Sequence, residues 1–510
     1  MAKDDPTREP LGGWVHRKAE IQPERTALNV GRQQLSYTAL AGRIDRFTQG
    51  LGRELGFEPG DRIAYLGRNH PDLLALLFAA ARLGLIVVPL NWRLAQPELQ
   101  AILADAAPKA VLAEKAFFAD IEAIGGKTPP WRRIAQDFSG EGWLDLGGLL
   151  RDGGAVEIAG KASDPVLIVY TSGTTGRAKG AVLTQDAIRW NAANSVDMHH
   201  LTGADRILSA LPLFHVGGLN IQTLPALSVG AEVRLEARFE PAEALRLIAE
   251  TAPTLTVLVP AMMKALIDHP SFERADLSSL RLITTGSSLV PVPLIQAFHE
   301  RDIPVVQVYG TTETAPIAVY QRAEDAVRTI GSAGRAGKHG AMRLIDENGL
   351  EVDAGSLGEI QIRGPQVMTG YWNNPLASDE AFDGSWFRTG DVGRLDEEGF
   401  LWVEARTDDL IKSGSERIYP AEIEAILCAS DDVEEVVVVG KADPDWGEVP
   451  VAVVQLALGA SIEPEQLLQR LEGKIARYKW PKEVRIVEAL PRSALGKVLR
   501  YRLRAELVRN

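Results

Sequence analysis

The sequence has one cysteine, Cys428, in 510 residues. A single thiol cannot build a disulfide framework or a cysteine zinc site within the chain. It lies in the helix-like stretch EIEAILCAS, where a buried core thiol is expected. Basic charge is also in deficit, with 55 Lys+Arg against 68 Asp+Glu and a net charge of −13. Nucleic acid as the main partner is disfavoured, because phosphate backbones need a basic face. Long apolar runs are missing too. The greasiest, DLLALLFAAARLGLIVVPL at 72–90, is broken by Arg82 and Gly84. It falls short of the ~20 residues of a membrane span and reads as a buried helix ending near Gly84, then a buried strand to Leu90. The opening MAKDDPTREP has no apolar core and is no signal peptide. A cytoplasmic protein without a membrane span is the default expectation.

What is present is an ordinary globular composition, 45% apolar and 24% charged. The length exceeds one hydrophobic core, so at least two domains are expected. Residues 163–313 alternate between strand and helix patterns. PVLIVY is a strand, DAIRWNAANSV a helix capped by Thr184, and RILSALPLFHVGG a strand entering a loop. PAEALRLIAE starts on a proline, as a first helical turn permits. Strand TLTVLVP, helix AMMKAL, strand LRLITTGSS, helix PLIQAFHE and strand PVVQVYG follow. Such alternation implies a mainly parallel sheet covered by helices, with ligands beyond the carboxyl ends of its strands. The polar clusters at Thr171–Thr175, His215, Thr284–Ser288 and Tyr309–Glu313 all follow strands and are expected to share one cleft. After about residue 330, GEIQIRG and GRLDEEGFLWVEAR read as antiparallel strands. Beyond the polar stretch at 405–420 comes a compact run of helix AEIEAIL, strands VEEVVVVG and VPVAVVQLA, helix EQLLQRLEGKIA and strand EVRIVEA. The expected division is 1–407 and 408–510, with a boundary near Asp408. The fold class is α/β: a large N-terminal domain with mainly parallel, helix-covered sheets and a β-rich subdomain, then a small mobile C-terminal α+β domain.

The stretch YTSGTTGRAKG, 170–180, has the composition of a phosphate cradle. Glycines let backbone N–H groups turn inward, hydroxyls add donors and Lys179 adds charge. Its spacing is not that of a Walker loop, and the residues after it look extended rather than helical. VYGTTET ends a strand and offers Glu313, a carboxylate suited to Mg²⁺ shared with phosphate oxygens. Asp391, in WFRTGDVGRLDEEGF, could accept both hydroxyls of a ribose. His215, among apolar and glycine residues, reads as a core or gating side chain rather than a base. Lys497 follows a glycine in LPRSALGKVLR. Taken singly, the last four read better as ordinary turn, core or surface residues than as site residues.

Together these motifs resemble the adenylate-forming superfamily of acyl-CoA synthetases, luciferases and amino-acid adenylation domains. YTSGTTGRAKG, LPLFHVGG, VYGTTETAP, WFRTGDVGRLDEEGF, RTDDLIKSGSERIYPAEIE and PRSALGKVLR stand in family order and at family distances over essentially the whole chain. The resemblance implies that a carboxylate attacks the α-phosphate of ATP, giving acyl-AMP and pyrophosphate, and that a thiol then displaces AMP. It implies that Thr171, Ser172, Gly173, Thr174, Thr175, Gly176 and Lys179 hold the β- and γ-phosphates. Thr312 and Glu313 would lie near the α-phosphate and Mg²⁺, with Thr174 a second metal contact. Gly286, Ser287, Ser288 and Tyr309 would frame the adenine, with Gly310 and Thr311 beside them, and Asp391 and Arg406 would hold the ribose. Lys497 would meet the α-phosphate and carboxylate oxygens. The small domain would swing about Asp408 between the half-reactions, bringing Gly414 to line the tunnel for the pantetheine arm of CoA, with Trp446 near CoA. Three positions depart from the family pattern: Ala405 before the arginine, Ser415 after Gly414, and SER where GEN is usual. The last two bear on the thiol tunnel.

Amino-acid activators tend to carry an amine-binding aspartate where this chain has His215. With the sequence read to Asn510, no carrier domain is expected, and free CoA is the expected acceptor. The acyl pocket is expected from His215, Val216, Gly217, Gly218, Met262, Gly286, Tyr309 and Thr314. None is cationic, which disfavours a dicarboxylate and favours a hydrophobic aliphatic or aromatic acid. The expected partners are that acid, ATP and CoA, with a homodimer left open. A luciferase-type monooxygenase and a non-catalytic nucleotide-binding regulator remain as alternatives.

Overall fold

The computed structural model describes residues 5–151, 158–171, 178–287, 290–406, 409–413, 416–444, 446–472, 474–475, 477–492 and 498–509. The chain forms two compact units, Met1–Met342 with Ile362–Arg388, and Arg343–Gln361 with Thr389–Asn510.

The first unit is built on two helix-covered sheets. One has eight strands, and its central five, Pro165–Thr171, Ile86–Pro89, Arg62–Leu66, Ala110–Ala113 and Arg132–Ala135, run parallel. The other has nine. At its centre Glu232–Leu235, Arg206–Ser209, Leu255–Val257, Leu282–Gly286 and Val305–Tyr309 are parallel. The alternation over 163–313 is therefore shared between two sheets rather than confined to one. Its first two strands also pair antiparallel, Pro165–Thr171 with Lys179–Thr184. Periodicity identifies strands but does not say which sheet each joins.

The greasy run is the helix Pro71–Leu83 followed by the strand Ile86–Pro89. Nearly every residue of that helix is buried, as its all-round apolarity requires. Gly84 ends it at φ 72°, a left-handed cap that glycine adopts without strain. Among the described residues, no helix is long and apolar enough to cross a membrane.

In the second unit, residues from Asp391 to Leu395 pair antiparallel with Leu401–Arg406. A bulge interrupts the ladder: Val392 pairs with Ala405 but Gly393 with Val403, so Glu404 is an extra residue. Further on, the long strands Val433–Asp443 and Gly447–Leu456 form a hairpin, joined by the parallel strand Glu483–Val487. The expected helix EQLLQRLEGKIA is shorter, Pro464–Gln469. A final helix, Arg500–Arg509, was not anticipated.

Cys428 corrects one expectation. It is exposed, not buried. The helix Pro420–Cys428 buries Pro420, Ile423 and Leu427, a spacing of three and four. Cys428 is the next residue after Leu427, about 100° around the helix and off that face.

Candidate active site

The glycine-rich stretch joins two strands of an antiparallel hairpin. Thr171 pairs with Lys179 and Tyr170 with Gly180. A Walker loop leads from strand to helix, so the spacing argument and the observed topology agree. Lys179 opens the second strand of the pair. Ser172, Gly173, Thr174, Thr175 and Gly176 lie outside the described residues, as do Ser288, Asp408, Gly414 and Lys497. The side chain of Arg406 is also outside them.

Lys179 and Glu313 are brought together by a residue that sequence reasoning missed. The short strand Gly370–Tyr371 pairs with the outer edge of the hairpin, Tyr371 opposite Ala181. The Lys179 ammonium sits over the Tyr371 ring, 5.2 Å from its centroid. The Tyr371 hydroxyl donates to Glu313 Oε1 at 2.8 Å, and Met368 N donates to the Glu313 carbonyl at 2.7 Å. One tyrosine thus spans the cation and the carboxylate. Glu313 is buried on a short helical turn, Thr312–Thr314. Its carboxylate suits Mg²⁺, which takes few protein ligands and keeps phosphate oxygens in its shell.

That turn is held from behind by buried asparagines. Asn191 and Asn194, one helical turn apart on Gln185–His199, accept from Ile317 N at 2.9 Å and donate to Ile317 O at 3.1 Å respectively. Asn220 Nδ2 donates to Ala315 O at 3.0 Å. Thr184 caps the same helix by accepting from Ala187 N, as expected. Gly310 is required here: a Cβ would fall 1.8 Å from the Pro316 carbonyl oxygen. A Cβ on Gly286 would fall 2.5 Å from the Val308 carbonyl. Ser287, next along, holds φ at 75°, an uncommon conformation for a residue with a side chain. The buried hydroxyl oxygens of Thr285 and Thr311 have no hydrogen-bond partner among the described residues. Buried polar atoms are rarely left so, and polar ligand atoms would satisfy them.

His215 caps a helical segment that begins at Val216, accepting from Gly217 N through Nδ1 at 3.0 Å. Burial lowers its pKa to about 4, so it is neutral at pH 7 and serves as the cap of that segment. Val216, Gly217, Gly218, Met262 and Thr314 are buried, and Tyr309 is half-buried. Behind them runs a chain of hydrogen bonds with a fixed direction. His199 Nδ1 lies 2.8 Å from the Ser195 carbonyl, which can only accept, so Nδ1 carries the proton. Bare Nε2 then accepts from the Thr284 hydroxyl at 2.8 Å, and Thr284 Oγ1 accepts from Gln222 Nε2 at 3.1 Å.

His199 is fully buried, and burial lowers its pKa from 6.5 to about 4. In the unfolded chain it takes up a proton near pH 6.5, so below that pH the unfolded state binds more protons than the folded one. Its contribution to stability is complete above about pH 6.5 and is lost as pH falls toward 4, a change of about 3 kcal/mol. The urea midpoint should fall over this window in the wild type and fall less in H199Q. Parallel pH slopes would exclude His199 as the source.

In the second unit, Asp391 is buried and pairs in register with Arg406. The two residues expected at the ribose are therefore cross-strand neighbours. Ser413 pairs with Gly447, which sets Trp446 beside the strands that flank Gly414. Trp446 is 54% exposed. Arg492 and Val498, the described residues on either side of Lys497's stretch of sequence, form a β-bridge. Arg500 is anchored by Val438 O at 2.7 Å and by Glu424.

A family model described as AMP-binding enzyme matches residues 15–372, and one for the AMP-binding enzyme C-terminal domain matches 422–497. The chain belongs to the AMP-binding enzymes. Within them it is an AMP-forming carboxylate–CoA ligase. This AMP-binding enzyme is 49% identical over 491 residues to the indoleacetate–CoA ligase of Aromatoleum aromaticum, covering 96% of each chain. It is 39% identical to a feruloyl-CoA synthase of an Amycolatopsis species, covering 97% of this chain and 98% of that one. Among solved structures, an anthranilate CoA ligase in complex with anthranoyl-AMP superposes at a TM-score of 0.90 with 26% identity, covering 98% and 97%. The o-succinylbenzoate CoA synthetase of Bacillus subtilis, in complex with its acyl-adenylate, gives 0.85 with 31% identity, covering 97% and 98%.

Proposed function

We propose that this ligase activates an aromatic carboxylic acid, forming its acyl-adenylate and pyrophosphate from ATP and then its CoA thioester and AMP. The observation that carries the reading is the 49% identity, over 96% of both chains, to a ligase named for indoleacetate. An uncharged, largely buried pocket wall of Val216, Gly217, Gly218 and Met262 suits an apolar ring.

On this reading the 171–179 stretch grips the β- and γ-phosphates, and Tyr371 keeps Lys179 and Glu313 in fixed relation. Mg²⁺ would be held by Glu313, with Thr174, and would neutralise phosphate charge. Asp391 and Arg406 take the ribose, Gly286–Ser288 and Tyr309 the adenine. Lys497 stabilises charge where carboxylate and α-phosphate meet. No general base is needed, since a carboxylate is already ionised at pH 7. For the second step, Gly414 lines the path of the pantetheine arm and Trp446 lies near CoA.

The test is a panel of indole-3-acetate, ferulate, anthranilate, phenylacetate, octanoate and palmitate with ATP and CoA, scored by AMP and thioester formation. Aromatic members should exceed the fatty acids in kcat/KM by about tenfold or more, the scale on which pocket contacts discriminate. A fatty acid as best substrate would sink the aromatic reading. Release of ADP would sink the adenylation chemistry.

A further inference from the structure

The hydrogen-bond chain behind the pocket fixes which way the Gln222 amide points. Its Nε2 faces the Thr256 carbonyl at 3.4 Å and Thr284 Oγ1 at 3.1 Å. A carbonyl only accepts, so the NH₂ end must face the sheet. The Thr284 hydroxyl donates to His199 Nε2, which leaves its lone pairs to receive Gln222. Oε1 is therefore on the other side of the amide. It is buried and has no hydrogen-bond partner among the described residues. Gln222 as a whole is 1% exposed.

Gln222 also lines a cavity of about 10 Å³, room for one water-sized group. Gly218, one of the residues expected in the acyl pocket, also lines this cavity, and Gln222 lies one turn beyond it on the same helical segment. Leu208, Leu211 and Val257 supply apolar walls. Ser209 and Thr223 also line it, their hydroxyls bonded to each other and to the Gly218 carbonyl. A mostly apolar niche with an orphaned acceptor is costly when empty of donors. It also discriminates, because a ligand lacking the donor leaves the acceptor unpaired.

We propose that Gln222 Oε1 is a specificity-determining acceptor at the inner end of the acyl pocket, taking a hydrogen bond from an N–H or O–H borne by the aromatic acid at the end distal to its carboxylate. The proposal rests on the aromatic-acid reading above. It narrows the substrate class to aromatic acids with a distal donor. Gln222 acts on recognition and touches no reacting atom.

The experiment uses the full chain and matched acids that differ in the donor alone: indole-3-acetate against 1-benzothiophene-3-acetate, and 4-hydroxyphenylacetate against phenylacetate. In the wild type, the donor-bearing member of at least one pair should be favoured about 10- to 100-fold in kcat/KM, the usual cost of leaving a buried acceptor unpaired. Q222M, close in volume but without the acceptor, should bring that ratio near one while still turning over the donor-free acid. A purely structural role would lower both members of a pair alike and leave the ratio unchanged, which overturns the proposal. Should Q222M fail to fold, the wild-type ratios decide: no preference in either pair overturns it. If no aromatic acid is used at all, the underlying reading falls and the proposal with it. If aromatic acids are used without donor preference, only the proposal falls.

Discussion

Replacing Lys497 by alanine should slow acyl-adenylate formation about 10²- to 10³-fold, yet leave conversion of supplied acyl-AMP and CoA largely intact. The first step brings two anions together, a carboxylate and the α-phosphate of ATP. Negative charge concentrates where they meet, and a preorganised donor at such a point is worth about 3–4 kcal/mol. The second step has a thiol nucleophile and a neutral acyl carbon, and on the proposed mechanism the lysine is then elsewhere. The substitution should not disturb the fold, since the flanking residues are independently anchored. Arg492 bridges Val498, and Arg500 holds Val438 O and Glu424. An unchanged Tm would confirm that control. Single-turnover assays of the two half-reactions give the test. Equal loss in both would count against separate roles.

Gly310→Ala should be the most damaging single-methyl change in the described part of the first unit's active-site wall. The added Cβ would lie 1.8 Å from the Pro316 carbonyl oxygen and 2.6 Å from Thr314 Oγ1. Neither neighbour is free to retreat. Thr314 Oγ1 accepts from Thr311 N at 2.9 Å, and Asn191 accepts from Ile317 N just beyond Pro316. Relief must come from moving the turn that carries Thr312 and Glu313. The cost expected is about 3 kcal/mol, the upper part of the range for overpacking, with loss of adenylation because Glu313 moves. Gly349→Ala is the control. Gly349 has φ 80° with no heavy atom within 4 Å of its Cβ position, so only backbone strain of about 1 kcal/mol applies. Urea midpoints should separate the two variants clearly. A midpoint for G310A no lower than that for G349A would show that the turn relaxes.

Local chemistry made several parts of this molecule readable. The run at 72–90 announced a helix buried on all sides, a glycine cap and a buried strand, because all three depend on adjacent residues. Asp391 and Arg406 share one expected task only through the family resemblance; the ladder sets the two opposite each other. Long-range pairing was not readable. Tyr371 stands 58 residues from Glu313, on a two-residue strand that no periodicity can announce. His199, Thr284 and Gln222 each looked like an ordinary polar residue in a helix or strand. Only the packing of helix Gln185–His199 against the strand Leu282–Gly286 reveals the directed chain they form. Cys428 failed for a smaller reason, a single step around a helix whose inward face was already set by Leu427.

The bulge in the Asp391 hairpin gives that strand pair something like a reading frame. Nearer the turn, Arg394 pairs with Trp402 and Leu395 with Leu401. Continued without interruption, that count would set Asp391 against Ala405. The one supernumerary residue, Glu404, advances the count so that Arg406 arrives opposite instead. The partnership of acid and base is thus encoded by number as well as by identity. A substitution at position 404 can leave it standing, whereas the loss of any one residue between 401 and 405 shifts the frame and gives Asp391 a different neighbour.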